Sequence, residues 1–202
     1  MMNWNIPERD DHYRCAALDR QQILTKPTGA LGVLEDVAIW LADVQQTAEP
    51  KADPAAAIVF AADHPVSALG VSAYPREVTP MMVVNLASGG AAASVLARLQ
   101  GLPLYVVDVG AAPYPNPTVG DGMHWQRIDV GGSVGDLVHD DAMDETALAG
   151  ALNAGVEAVD ALPEETRLVI FGEMGIGNTT PASAISGRLL NLDASDIVGP
   201  GT

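Results

Sequence analysis

At 202 residues, 48% of them apolar, the chain is long enough for one α/β domain with a substantial core plus some appended helix. Its formal charge of −16, with ten lysines and arginines against 26 acids, argues against a nucleic-acid role, which needs cations to neutralise phosphates. The single cysteine, Cys15, excludes an internal disulfide and a cysteine-rich zinc site.

The N-terminal region lacks a basic start followed by an apolar run, and nowhere do about 18 apolar residues follow one another without a break. A cytoplasmic chain is expected. Residues 1–50 have no strand character, and helices are expected over residues 10–24 and 34–46. In the second, Leu34, Val37, Ala38, Leu41 and Val44 share one face at helical spacing. A turn-rich connector, residues 25–32, separates the two, and Pro50 and Pro54 mark a linker. The first 50 residues therefore read as a small helical subdomain. Lys26 in the connector reads either as an anion-steering cation or as a solvated lysine.

From Ala55 the pattern changes to short apolar runs alternating with longer helices of small residues. That alternation predicts an α/β fold, a Rossmann-like parallel sheet flanked by helices, over residues 55–202. Strands are expected at 57–62, 104–109 and 168–171, with a weaker one at 126–130. Helices are expected at 80–99, 146–162 and 181–190. Thr79-Pro80 and Thr180-Pro181 both read as an N-cap followed by the first helical residue. Residues 111–122, with three prolines and two glycines, form a long irregular connection.

Ligands of open parallel sheets gather beyond the carboxyl ends of the strands. Asp63-His64, Asp108 and Glu173 all fall there and form one rim of a pocket. Asp63 and His64 read as a hydrogen-bonded rim pair rather than metal ligands, since no further ligand cluster stands at a suitable spacing. Asp108 fits either a ribose hydroxyl or the cap of the next turn.

The last strand runs into Gly172-Glu173-Met174-Gly175-Ile176-Gly177-Asn178-Thr179-Thr180-Pro181, a glycine turn opening a helix. Free N–H groups and the positive end of the helix dipole would converge there on an anion. The spacing matches a phosphate-binding P-loop, except that Asn178 stands in place of the lysine. A single phosphate is then favoured over a nucleoside triphosphate. An ordinary strand-to-helix turn is the alternative.

Three blocks of this sequence resemble the nicotinate-nucleotide:dimethylbenzimidazole phosphoribosyltransferase family of cobalamin nucleotide-loop assembly. The first is Leu24-Thr25-Lys26-Pro27-Thr28-Gly29-Ala30-Leu31-Gly32-Val33-Leu34-Glu35. The second comprises Ala62-Asp63-His64, the run from Gly70 to Thr79, and Gly89-Gly90-Ala91-Ala92. The third is the glycine turn from Gly172 to Thr180, followed by Val198-Gly199-Pro200-Gly201-Thr202. The resemblance implies transfer of phosphoribose from nicotinate mononucleotide to a benzimidazole-type base, giving α-ribazole phosphate, with no cofactor and no metal. It implies that Tyr74 and Met82 line the base pocket. Gly175, Ile176, Gly177, Asn178, Thr179 and Thr180, with Gly199 and Gly201, would hold phosphate and ribose, and Glu173 would be a catalytic carboxylate beside the reaction centre. A homodimer is expected, because four strands leave a sheet edge or face uncovered. Pro65 stands where the family usually has glycine, Ala30 replaces a serine and Val33 an arginine. By the resemblance the family's general-base glutamate and a phosphate-side lysine lie beyond Thr202. The alternative reading is therefore a truncated, noncatalytic homologue that binds a nucleotide or aromatic base.

Overall fold

The structure, a computed structural model, describes residues 8–201, and it divides into two compact units between Asp53 and Pro54. In the first, helices α1 (Asp11–Ile23) and α2 (Val33–Gln45) pack on each other. Asp10 caps α1 by accepting the His12 N–H at 2.9 Å. Two helices alone cannot cover an apolar face, so Leu34 and Val37 of the expected α2 stripe stay 66% and 48% exposed, while Ala42 is buried. Lys26 is neither steering nor solvated. Its Nζ lies 2.7 Å from Glu35 Oε1, both side chains are mostly buried, and this bond holds the Glu35 carboxyl below its usual range.

The second unit is a four-stranded, wholly parallel sheet of β1 (Ala55–Ala62), β2 (Leu104–Gly110), β3 (Met123–Arg127) and β4 (Leu168–Met174), in the order β3-β2-β1-β4. It also holds α3 (Val78–Ala87), α4 (Ala92–Leu99), α5 (Glu145–Asp160), α6 (Thr179–Leu190) and a short α7 (Ala194–Ile197). The chain moves one way across the sheet from β1 to β3 and then returns to β4. Right-handed crossovers must place the connecting helices of these opposite moves on opposite faces. The core divides accordingly. Ala57, Val59, Ala61, Leu104 and Val106 pack with Val83 and Leu86 of α3 and Ala97 of α4, whereas Ile58 and Val107 pack with Ala158 of α5.

Three local expectations are corrected. The strand expected as the weaker one, β3, lies at Met123–Arg127 instead of 126–130, because buried Met123 fills the core beneath Leu104 and the ladder ends at Asp108 opposite Arg127. The expected helix over 80–99 is two helices. Gly89 at φ +88° turns the chain between them, and the Ser94 hydroxyl donates to the Leu86 carbonyl at 2.8 Å to dock α4 on α3. By length and mean hydropathy, 22 residues at 1.4, Val78–Leu99 could cross a membrane. Here it is broken by that turn and contributes Val83, Leu86, Ala87 and Ala97 to the core.

The third correction concerns the threonine-proline pairs. α3 starts at Val78 and α6 at Thr179, so Thr79 and Thr180 lie inside their helices instead of capping them. Thr79 has another task. It is completely buried, and its Oγ1 accepts the Ile176 N–H at 3.0 Å, fastening the glycine turn after β4 to the first turn of α3.

Parallel strands β2 and β3 need a crossover of roughly a dozen residues, which residues 111–122 supply without a helix. A buried network shapes it. Asp108, fully buried, accepts the Gly110 and Ala111 N–H groups through Oδ1, and the Tyr114 hydroxyl at 2.6 Å and Arg127 Nε at 2.8 Å through Oδ2. The Arg127 guanidinium also lies 4.2 Å from the Tyr114 ring centre and 5.5 Å from that of Trp125. Burial pushes the Asp108 carboxyl up, but its four donors outweigh that and hold it below the usual range. Every site on this carboxylate is used within the fold, so Asp108 closes a turn and leaves no acceptor for a ribose.

Two outcomes follow for stability. Thr79→Val strands the Ile176 N–H in the core and is expected to cost about 1–3 kcal/mol, measured by urea unfolding. Asp108→Asn should cost about 2 kcal/mol at pH 7, since donors to an ionised group lose their charged acceptor. With a depressed folded-state pKa, that contribution is complete above the unfolded value of about 3.9 and fades as pH falls below it. The stability gap between the native chain and Asp108→Asn should be flat from pH 7 to about 5 and shrink below about 4.

Candidate functional site

In this strand order β1 lies between β2 and β4, and the connections leaving β1 and β4 set out from neighbouring carboxyl ends. This reversal point is where open α/β sheets form a ligand crevice. Residues 175–178, the glycine turn, bridge β4 to α6 there.

The turn is fixed by close approach. A Cβ on Gly175 would collide with the Ala62 carbonyl oxygen and lie 2.7 Å from His64 Cδ2, so only glycine lets the turn lie flat on the end of β1. Gly177 adopts φ +85°, and a Cβ there would sit 3.2 Å from Ser67 Cβ. Ile176, 8% exposed, points into the core and anchors the turn. Asn178 donates its side-chain amide to Glu173 Oε1, closing the turn on itself.

The backbone amides separate into two groups. The Ile176, Asn178 and Thr180 N–H groups are taken by Thr79 Oγ1, the Gly175 carbonyl and the Gly177 carbonyl. Those of Gly177 and Thr179 have no protein acceptor among the described residues. Two amides at the positive end of a twelve-residue helix are thus unpaired among the described residues; Thr179 is exposed, whereas Gly177 is buried.

Beside them is a cavity of about 620 Å³, lined by Val71, Thr179, Thr180, Ser183, Ile197 and residues 198–201, with Ala184 and Ala194. Gly201 approaches closely: a Cβ there would lie 3.4 Å from the Val71 carbonyl and 3.9 Å from Thr179 Oγ1. The structure therefore brings Thr179, Thr180, Gly199 and Gly201 around one space. Thr202 lies outside the described residues. Tyr74 and Met82 do not line this cavity. Tyr74 is 57% exposed ahead of α3, and Met82 is half-buried against the core. A second, shallower space of about 450 Å³ opens between α3 and the crossover, lined by Glu77, Pro80, Met81, Val84, Pro113, Tyr114 and Pro115.

At the rim, burial pushes the His64 imidazole below its usual pKa, against the pull of the Glu173 and Asp63 carboxylates. It is thus neutral at pH 7 and able to accept or donate a proton at the turn. Glu173 is exposed. Asp63 is not the fully satisfied partner expected. Its Oδ2 accepts the Ala112 N–H at 2.8 Å and lies 3.0 Å from Arg76 Nε, but its buried Oδ1 has no partner among the described residues. Among those residues no three His, Cys, Asp or Glu side chains converge as a metal site would require. Ser67 and Arg76 carry no role in the sequence reading, and Thr79 is read there only as a helix cap. Their positions depend on contacts far along the chain, and only the placement of Arg76 beside Asp63 has a sequence hint, in a shared block of charged and turn residues.

The phosphoribosyltransferase family model matches residues 6–202. Nicotinate-nucleotide–dimethylbenzimidazole phosphoribosyltransferase of Bradyrhizobium diazoefficiens is 47% identical over 197 residues, which are 97% of this chain and 55% of that protein. The enzyme of that name from Pseudomonas fluorescens is 46% identical over 187 residues, 92% of this chain and 52% of its own length. The chain spans about half the length of the curated relatives it matches. A crystal structure of nicotinate-nucleotide-dimethylbenzimidazole phosphoribosyltransferase from Thermus thermophilus superposes with a TM-score of 0.82 at 41% identity, covering 94% of this chain and 57% of that one. With its parallel sheet, its glycine turn and a match over nearly its whole length, the chain belongs to the phosphoribosyltransferase family.

Proposed function

We propose that the chain serves transfer of the phosphoribosyl group of nicotinate mononucleotide to a benzimidazole-type base, giving α-ribazole phosphate and nicotinate. The observation that carries this reading is the pair of unpaired amides at Gly177 and Thr179, opening α6, with Thr179 in the lining of a cavity large enough for a mononucleotide. The names of the relatives support the same chemistry.

The reaction makes modest demands. A ring nitrogen of the incoming base attacks the anomeric carbon and loses its proton, and the bond to the pyridinium nitrogen breaks as nicotinate leaves with the electron pair. Positioning and one proton acceptor suffice. The two amides hold the phosphate, Thr179, Thr180, Gly199 and Gly201 surround the ribose, and Glu173, steered by Asn178, faces the reacting end as a carboxylate. Tyr74 and Met82 flank the base, a role supported by the exposed ring of the first and the half-buried thioether of the second. A cytoplasmic setting and a homodimer belong to the same proposal. The dimer is supported by the open edge strand β4, where Ile170 and Phe171 are 48% and 61% exposed. Light scattering at micromolar concentration should give twice the chain mass, and a monomer would count against it.

Nicotinate mononucleotide at about a hundred times its Kd should stabilise the chain by about 2.7 kcal/mol, raising Tm by roughly 5–10 °C. The phosphate-free riboside should produce no comparable rise. Equal shifts from the two compounds would remove the amides from the phosphate site.

A further inference from the structure

Nicotinate mononucleotide is anionic at both ends, with a phosphate on the ribose and a carboxylate on the pyridine ring. The free amides answer the first. The chain itself carries a formal charge of −16, so the second end approaches a repulsive field unless a cation meets it locally.

The second unit has five cationic side chains, all arginines. Arg98 donates to the Gly89 carbonyl, and Arg127 is held by Asp108. Arg167 precedes β4 at the opposite end of the sheet, and Arg188 lies in the last turn of α6. Arg76 remains. It sits at the carboxyl rim, with Nε 3.0 Å from Asp63 and a side chain 47% exposed. Asp63 directly follows β1 and is pinned by donating its N–H to the Gly110 carbonyl and accepting the Ala112 N–H. The next residue, His64, lies against Gly175 of the turn. The Arg76 carbonyl in turn accepts the N–H of Thr79, whose hydroxyl holds Ile176. Arg76 is thereby tied from both sides to the segment that grips the glycine turn.

Because Asp63 engages Nε, the two terminal nitrogens of the guanidinium have no protein partner among the described residues. That leaves the end-on fork, the geometry that takes a carboxylate through two parallel hydrogen bonds. Asp63 limits the rotamers of a long side chain and so lowers the entropy lost on binding.

We infer that Arg76, oriented by Asp63, is a specificity-determining residue that reads the carboxylate on the pyridine ring of the nucleotide. This inference rests on the proposed reading of the glycine turn as the phosphate site. It makes the chain selective for a nucleotide whose ring substituent is negative over the otherwise matching neutral amide.

Nicotinate and nicotinamide mononucleotides differ in that one group, and titration calorimetry of the 202-residue chain with each isolates its contribution. The native chain should bind the nicotinate form about tenfold to a hundredfold more tightly, the range for hydrogen bonds to a charged group. Arg76→Gln should bring the ratio of affinities close to one, and Arg76→Lys, a charge without the fork, should restore part of it. An unchanged ratio in Arg76→Gln, or a native chain that binds both compounds equally, overturns the role of Arg76 while leaving the phosphate site standing. A proportional loss for both ligands also overturns it, because that is the signature of a structural role. A native chain that binds neither compound overturns the phosphate site and this inference together.

Discussion

The bond from the Ile176 N–H to the buried Thr79 hydroxyl is the contact on which the site depends. It joins segments 97 positions apart in the sequence, and both residues are buried, so losing either partner strands the other in the core. With Ile176 fixed there, the following amides split into those consumed within the turn and those left over. The proposed anion site is thus a by-product of accounting for the buried donors around it. The helix dipole adds a field, but the position of the free amides is set by which of their neighbours are already engaged.

Sheet topology supplies the other half of the geometry. The reversal between β1 and β4 places the ends of two adjacent strands side by side with their connections diverging. Gly175 can lie against the Ala62 carbonyl only because the two strands run in register, Ala61 beside Met174. The Asp108 network performs the matching task on the far side of β1, holding the crossover to β3 in a shape that no regular element provides.

Much of this could be read from residues in order. The strands β1, β2 and β4 were legible because short apolar runs between turn residues have few other uses, and the glycine turn because its spacing leaves little else for the backbone to do. The failures share a cause. Thr79-Pro80 has the local chemistry of a cap, and nothing nearby indicates that the hydroxyl is needed by a residue on another element. Met123-His124-Trp125 looks less strand-like than Ile128-Asp129-Val130, yet Met123 is the side chain that fits below Leu104. The break at Gly89 is local in origin, but a run of small residues conceals it among other glycines and alanines. Arg76 stood within a recognised block without a role because only the fold reveals that Arg98 and Arg127 of its unit are engaged and that Arg167 and Arg188 lie away from the rim.

The stack of Tyr114, Arg127 and Trp125 has an optical corollary. Of the chain's three tryptophans, Trp125 alone belongs to the second unit, and its indole nitrogen donates to the Tyr114 hydroxyl at 3.1 Å within reach of a guanidinium charge. Indole emission shifts in colour with nearby charge and polarity. This ring therefore acts as a built-in fluorophore for the crossover, and with Trp4 and Trp40 both replaced by phenylalanine its spectrum would follow that segment alone.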